Sequence, residues 1–115
     1  MFEDKWLPEA AQAYKQIRDA AKRSLDKRLR AKSKKPSQAE GLFKQVHKTI
    51  ARLKSNPRRP GLQTHEFHSL PRPYSPGEKI VDAYVQHKTP GAYRVFWCYG
   101  PDKGQITIIA ITPHP

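Results

Sequence analysis

The first half of the chain repeats apolar residues at spacings of three and four, the pattern of helices with one buried face. One stretch runs from about Pro8 to Lys35, and Pro8 suits a first helical turn. A second stretch ends near Ser55, where Asn56-Pro57 stops it, and Ser37 followed by Glu40 has the form of a capping box at its start. The two stretches predict a helical hairpin whose apolar faces need another layer to cover.

The second half changes to short runs of aromatic and β-branched residues separated by Gly, Pro and Asp. The runs AYRVFWCYG and GQITIIAITPHP, separated by Pro101-Asp102-Lys103, predict a β-hairpin. LQTHEFHSL and KIVDAYVQH predict further strands. The sequence therefore predicts an α+β fold of one domain, residues 1–115, in which an N-terminal basic helical hairpin at 8–55 packs on a small antiparallel β-sheet at 62–115.

Positive charge is concentrated in the predicted hairpin. The chain has a net charge of +12 and a pI near 10.1, and residues 15–59 hold 16 Lys or Arg against three acidic residues. A solvated helix face is one explanation. Neighbouring like charges on a helix repel one another, however, so binding to a nucleic-acid backbone or to an acidic protein is the favoured alternative.

Several classes of protein are disfavoured by the sequence. The single cysteine, Cys98, excludes an intrachain disulfide and fits a reducing compartment. No signal peptide is recognisable and ITIIAIT is too short to span a bilayer, so we expect a cytoplasmic protein with no membrane partner. His65 and His68 would face opposite sides of a strand, and no cysteine or carboxylate spacing completes a zinc site. We therefore expect no metal and no cofactor.

Three motifs together resemble a known family. The run ending at Asn56-Pro57 is followed by a Gly-Leu-x-x-His segment, and the chain closes with AYRVFW and ITIIAITPH. Over roughly Ala39 to His114 the sequence resembles the RelE/ParE superfamily of bacterial type II toxin-antitoxin toxins. The resemblance implies a metal-independent endoribonuclease that cleaves messenger RNA at the ribosome, inhibits translation, and is neutralised by a cognate acidic antitoxin.

The resemblance also assigns candidate site residues. Arg94 stands where the family has a strand arginine, and a guanidinium suits the charge on a phosphoryl group during cleavage. The alternative for Arg94 is a surface ion pair with Asp82. His114 falls where some members carry a catalytic histidine, and imidazole transfers protons near neutral pH. The alternative for His114 is an unconstrained tail residue.

Further residues are candidates for catalysis or for holding RNA. His87 is the third catalytic candidate, next to Lys88, near the place where relatives have basic residues that bind phosphate. Lys88, His65 and His68 are the predicted RNA-binding residues. The aromatic residues Tyr84, Phe96 and Trp97 are candidates for stacking a base, with core packing as the alternative.

The sequence departs from the family pattern at both ends. MFEDKWL is too charged for a central strand, which leaves open that the family's usual first strand is missing. Pro115 stands where one subgroup has a terminal Tyr, which leaves open a weakened or silent nuclease. Two alternatives to the endoribonuclease therefore remain: a non-catalytic toxin that inhibits a protein target such as DNA gyrase, and a basic RNA- or ribosome-binding protein that has lost cleavage.

Overall fold

The structure, a computed structural model, describes residues 1–58, 65–67, 79–86 and 91–113. The elements follow one another as β1 (Glu3–Trp6), α1 (Pro8–Arg30), α2 (Gln38–Ser55), β2 (His65–Phe67), β3 (Ile80–Tyr84), β4 (Tyr93–Tyr99) and β5 (Gln105–Pro113). This is the predicted order of a helical hairpin followed by a sheet, and the α+β prediction is confirmed.

The strands form one sheet of order β1-β5-β4-β3-β2. Strands β2 to β5 pair antiparallel with their sequence neighbours, and β4 with β5 is the predicted hairpin. The β4–β5 register shifts between Phe96 and Trp97, where an extra residue in β5 bends the ladder. Further along, Arg94 lies opposite Thr112, and Tyr93 lies opposite Pro113.

The suggestion that the first strand is missing was wrong. β1 pairs in parallel with β5, from Glu3 opposite Gln105 to Trp6 opposite Ile108, so the sheet is mixed and not purely antiparallel. Charged residues are tolerated because β1 is an edge strand with one solvated face: Glu3 and Lys5 are exposed and form an ion pair of 2.8 Å, whereas Trp6 is partly buried.

The helical hairpin is closed by polar contacts at its turn. Ser37 and Glu40 form the predicted capping box at the start of α2. Glu40 also binds Arg28 of α1 at 2.9 Å, which ties the two helices together. α1 ends at Arg30 and not at Lys35 because Lys32 adopts a left-handed backbone with φ of 55°. Neither helix in the described ranges is long and apolar enough to cross a membrane.

Both faces of the sheet carry buried apolar residues. On the face that we call the helix side, Val46, Ile50 and Leu53 of α2 pack on strand residues such as Trp97, Ile106 and Ile108. The opposite face, which we call the far side, carries a smaller cluster of Ile80, Phe96, Cys98 and Ile109. Side chains alternate along a strand, so each residue of β3 and β4 can be assigned to one of these faces.

Candidate functional site

The far side of the sheet holds a buried ion pair between adjacent strands. Val95 belongs to the helix-side core, so its neighbour Arg94 points to the far side. Asp82 of β3 is fully buried on that same face. Arg94 donates a hydrogen bond from Nη1 to Asp82 Oδ2 at 2.6 Å, with the Arg94 side chain 10% exposed and that of Asp82 0% exposed. The two residues are diagonal neighbours, because Arg94 lies opposite Tyr84 and Asp82 lies opposite Phe96.

An aromatic ring fixes the guanidinium on a second side. Arg94 Cζ lies 4.5 Å from the centroid of the Tyr84 ring, within the range of a cation–π contact. The guanidinium is thus held at one nitrogen by a carboxylate and over one face by a ring. We call the three residues Asp82, Tyr84 and Arg94 the Arg94 site.

Part of the guanidinium is not used by these contacts. Arg94 Nε is buried and has no hydrogen-bond partner among the residues that the structure describes. A guanidinium offers its donors as forks, and the fork formed by Nε and Nη2 lies on the other side of the group from Nη1. Asp82 therefore occupies one end of the group while the Nε–Nη2 fork keeps the geometry that matches two oxygens of a phosphate.

The sequence suggested a surface ion pair between Arg94 and Asp82 as the alternative. The structure has this ion pair, but it is buried and not at the surface. Charged side chains are almost never fully buried unless they are paired, and Asp82 with Arg94 follows this rule. The structure keeps Arg94 as a candidate and adds Asp82 and Tyr84 to it.

Sequence reasoning treated Asp82 only as a competing partner, although the period of two along KIVDAYVQH places Asp82 and Tyr84 on one face. Which face this is, and which β4 residue lies beside it, depends on the β3–β4 register. The signal that could have found Asp82 is a lone carboxylate inside an otherwise apolar strand.

The other predicted site residues are placed only in part. His68, His87, Lys88 and His114 lie outside the described residues. His65 is described by its backbone, and its Cα is the register partner of Asp82. Pro113 is the last residue of β5, and it lies opposite Tyr93, which precedes Arg94 in β4.

The aromatic candidates for base stacking separate into core and site residues. Trp97 is 0% exposed in the helix-side core and Phe96 is buried on the far side, so both have the packing role that was their alternative. Tyr84 is partly buried, and its ring lies against Arg94.

A cleft of about 620 Å³ opens where β1 meets the two helices. Tyr14 Oη and His47 Nδ1 lie 3.2 Å apart there, and Lys54 Nζ lies 3.3 Å from Asp4 Oδ1. Burial raises the pKa of Asp4, but hydrogen bonds from Trp6, its own backbone and Lys54 outweigh burial and hold the pKa below its ordinary value. These four groups pair with one another, whereas Nε of Arg18, which also lines the cleft, is buried without a hydrogen-bond partner among the described residues.

His47 was not singled out from the sequence. His47 follows Phe43 by four residues on α2, a spacing that places two side chains next to each other on a helix. The ring centroids of Phe43 and His47 lie 5.9 Å apart.

No group of three or more His, Cys, Asp or Glu side chains suited to a metal ion is present within residues 1–58, 79–86 and 91–113. The cations of α1, in contrast, form an extended exposed surface. We call this the basic surface, and it comprises Lys15, Lys22, Arg23, Lys27 and Arg30, with the acidic Asp26 exposed among them. Leu25 and Leu29 are exposed on the same helix. The basic surface and the Arg94 site lie on opposite sides of the sheet, because α1 packs on the helix side.

Comparison with known proteins gives a match in structure only. No protein-family model and no curated protein matched the chain. Two solved structures did: a YoeB-YefM complex from Staphylococcus aureus, and a heterotetrameric YoeB-YefM toxin-antitoxin complex from the same organism. Each match covers 100% of this chain and 99% of the matched chain, with a TM-score of 0.57 and 13% sequence identity.

The likeness extends over the whole length of both chains, whereas the sequence motifs began only at Ala39. This likeness is one of fold, and it confirms the α+β fold that the closing motifs of the sequence implied. The chain shares its fold with a chain of these YoeB-YefM complexes.

Proposed function

We propose that this chain is a toxin-like, metal-independent endoribonuclease that cleaves messenger RNA at the ribosome. The observation that carries the proposal is the Arg94 site: a buried arginine, on the face of a RelE-type sheet away from the helices, is held by a carboxylate and a ring. A rigidly held guanidinium stabilises phosphoryl charge without reorganising at the moment of reaction.

The proposed reaction is attack of an RNA 2′-hydroxyl on the adjacent phosphorus. A base takes the proton of the hydroxyl, Arg94 stabilises the negative charge on the phosphoryl oxygens, and an acid returns a proton to the 5′-oxygen that leaves. His114 and His87 are the residues proposed for proton transfer, and Lys88, His65 and His68 are proposed to hold the RNA. These assignments come from the sequence resemblance.

The proposed partners are RNA and an acidic antitoxin, in the cytoplasm. The two structural neighbours are toxin-antitoxin complexes, which supports an antitoxin for this chain. The cations of the basic surface support an acidic or polyanionic partner, since a field of one sign attracts the opposite sign over several ångströms.

The test is expression in cells with mapping of new RNA ends, comparing the wild type with Arg94→Ala and His114→Ala. Removal of the phosphate-stabilising donor should slow cleavage on the order of a hundredfold or more. Lys103→Ala is the control, because Lys103 is an exposed cation in the β4–β5 turn, at the other end of β4 from Arg94. New RNA ends that appear equally with wild type and Arg94→Ala would refute the enzyme proposal.

A second candidate function is RNA or ribosome binding without cleavage. The observation that favours it is that a carboxylate already neutralises Arg94, while the basic surface on α1 is exposed. Binding without cleavage predicts no new RNA ends, together with association that weakens steeply as salt is raised. Toxicity that survives Arg94→Ala, without new RNA ends, would instead favour a protein target.

A further inference from the structure

The orientation of the Arg94 guanidinium depends on one side chain, that of Asp82. Its carboxylate takes Nη1 of Arg94 at 2.6 Å, and it does so from the adjacent strand, where its own backbone is fixed by pairing on both sides. Tyr84 covers one face of the guanidinium but does not fix how the group is rotated within its plane. The hydrogen bond to Asp82 fixes that rotation.

The rotation decides which donors remain. With Nη1 bound, the Nε–Nη2 fork points away from the carboxylate, and Nε is buried without a hydrogen-bond partner in the described part of the chain. A buried donor without a partner is unfavourable, so an oxyanion that reached it would gain a hydrogen bond that no described protein group competes for.

We infer that Asp82 is a positioning residue for the cleavage reaction: its carboxylate holds the Arg94 guanidinium so that the Nε–Nη2 fork receives two oxygens of the phosphate. The inference rests on the proposed function. In this role Asp82 does not touch the RNA, and it acts on the reaction through Arg94.

A different reading of the same ion pair makes the opposite prediction. If the Asp82 carboxylate competed with the RNA phosphate for Arg94, removing the carboxylate would free the guanidinium and raise the cleavage rate. If Asp82 only neutralised a buried charge, any carboxylate in its place would serve. The two readings and the positioning role are separated by the sign and size of the change in kcat.

The experiment measures kcat and KM of the full chain on ribosomes programmed with messenger RNA. Both constants are calculated from the concentration of folded protein. Asp82→Asn removes the charge, whereas Asp82→Glu keeps it but moves the carboxylate by one methylene. Positioning predicts that kcat falls about tenfold to a hundredfold in Asp82→Asn and about tenfold in Asp82→Glu, with KM nearly unchanged, because misplacement of a catalytic group acts on the transition state. Asp102→Asn, an exposed aspartate in the β4–β5 turn, is the matched control and should leave both constants unchanged.

Asp82→Glu also serves where Asp82→Asn does not fold, since it retains an ion-pair partner for Arg94. A wild-type kcat in Asp82→Glu, or a kcat above that of the wild type in Asp82→Asn, would overturn the inference. If Arg94→Ala still slowed cleavage, the proposed function would stand.

Failure of the proposed function has a different signature. The wild type would then not cut, or Arg94→Ala would cut equally well. In that case the affinity for 2′-O-methylated RNA, whose attacking oxygen is blocked, decides the matter. Weaker binding of this RNA by both Arg94→Ala and Asp82→Asn would support positioning for phosphate binding, whereas equal affinity of the wild type and these two variants would overturn the inference as well.

Discussion

The buried pair between Asp82 and Arg94 makes a strong prediction about stability. Removing either partner alone is expected to be costly. Replacing Asp82 by Leu takes the carboxylate away from a buried guanidinium, and replacing Arg94 by Met takes the guanidinium away from a fully buried carboxylate. The pair is nearly free of solvent screening, because the two side chains are 10% and 0% exposed. Breaking a buried pair in this way costs about 3–5 kcal/mol.

Replacing both partners should cost less than replacing either one. Apolar side chains of similar size remove the desolvation penalty together with the attraction, and such replacements are often close to neutral. For Asp82→Leu with Arg94→Met we expect the cost in unfolding free energy to fall short of the sum of the two single variants by about 3 kcal/mol or more. Part of the cost of Arg94→Met alone is the lost contact with Tyr84, roughly 0.5–2 kcal/mol, which the double variant does not recover.

The assay is urea unfolding of the four proteins followed by tryptophan fluorescence, since Trp97 is fully buried and changes its surroundings on unfolding. Asp102→Leu with Lys103→Met in the exposed β4–β5 turn is the control cycle, and its coupling should lie within about 0.5 kcal/mol of zero. Costs at Asp82 and Arg94 that simply add up would refute the reasoning, because they would mean that the two charges do not stabilise one another.

Three other predictions concern the hairpin and the core. Ser37→Ala removes the cap of α2 and should lower the unfolding free energy by about 1 kcal/mol in denaturant titration. Leu53→Ala opens a cavity at a fully buried position and should cost about 3–5 kcal/mol, whereas Leu29→Ala, at a position 61% exposed, should cost far less in the same assay. Hydrogen bonds from Arg28 and from the Ser37 backbone hold the pKa of Glu40 below its ordinary 4.5, so the stability that Glu40 contributes is complete above pH 4.5 and is lost as pH falls through the lower, folded-state pKa. Unfolding curves measured against pH should show that Arg28→Ala reduces this acid-side loss, and an unchanged loss would contradict the assignment.

The elements with strong local signals could be predicted from the sequence. The capping box at Ser37 and the β4–β5 hairpin are set by neighbouring residues, so the pattern was sufficient. The end of α1 was missed because Lys32 has a positive φ without the glycine that usually announces one. β1 was missed because its charged residues match a strand only at a sheet edge, and edge position is decided by a partner far away in the sequence.

The candidate site could be predicted only as a list of residue types. The resemblance pointed to Arg94, and alternation placed Asp82 and Tyr84 together, but the diagonal contact follows from the β3–β4 register. Burial of the pair was also beyond the pattern, since a charged residue in a strand is more often on a solvated face.

The parallel pairing of β1 with β5 has a consequence for how the chain is made. Glu3 finds its strand partner at Gln105, so β1 cannot close this edge of the sheet until β5 has left a translating ribosome. Until then the apolar stripe of the helical hairpin lacks the part of its cover that β5 supplies through Ile106, Ile108 and Ile111. Such long-range closure slows folding of the β1 edge, whereas the Arg94 site lies on the neighbouring strands β3 and β4 and does not depend on that edge.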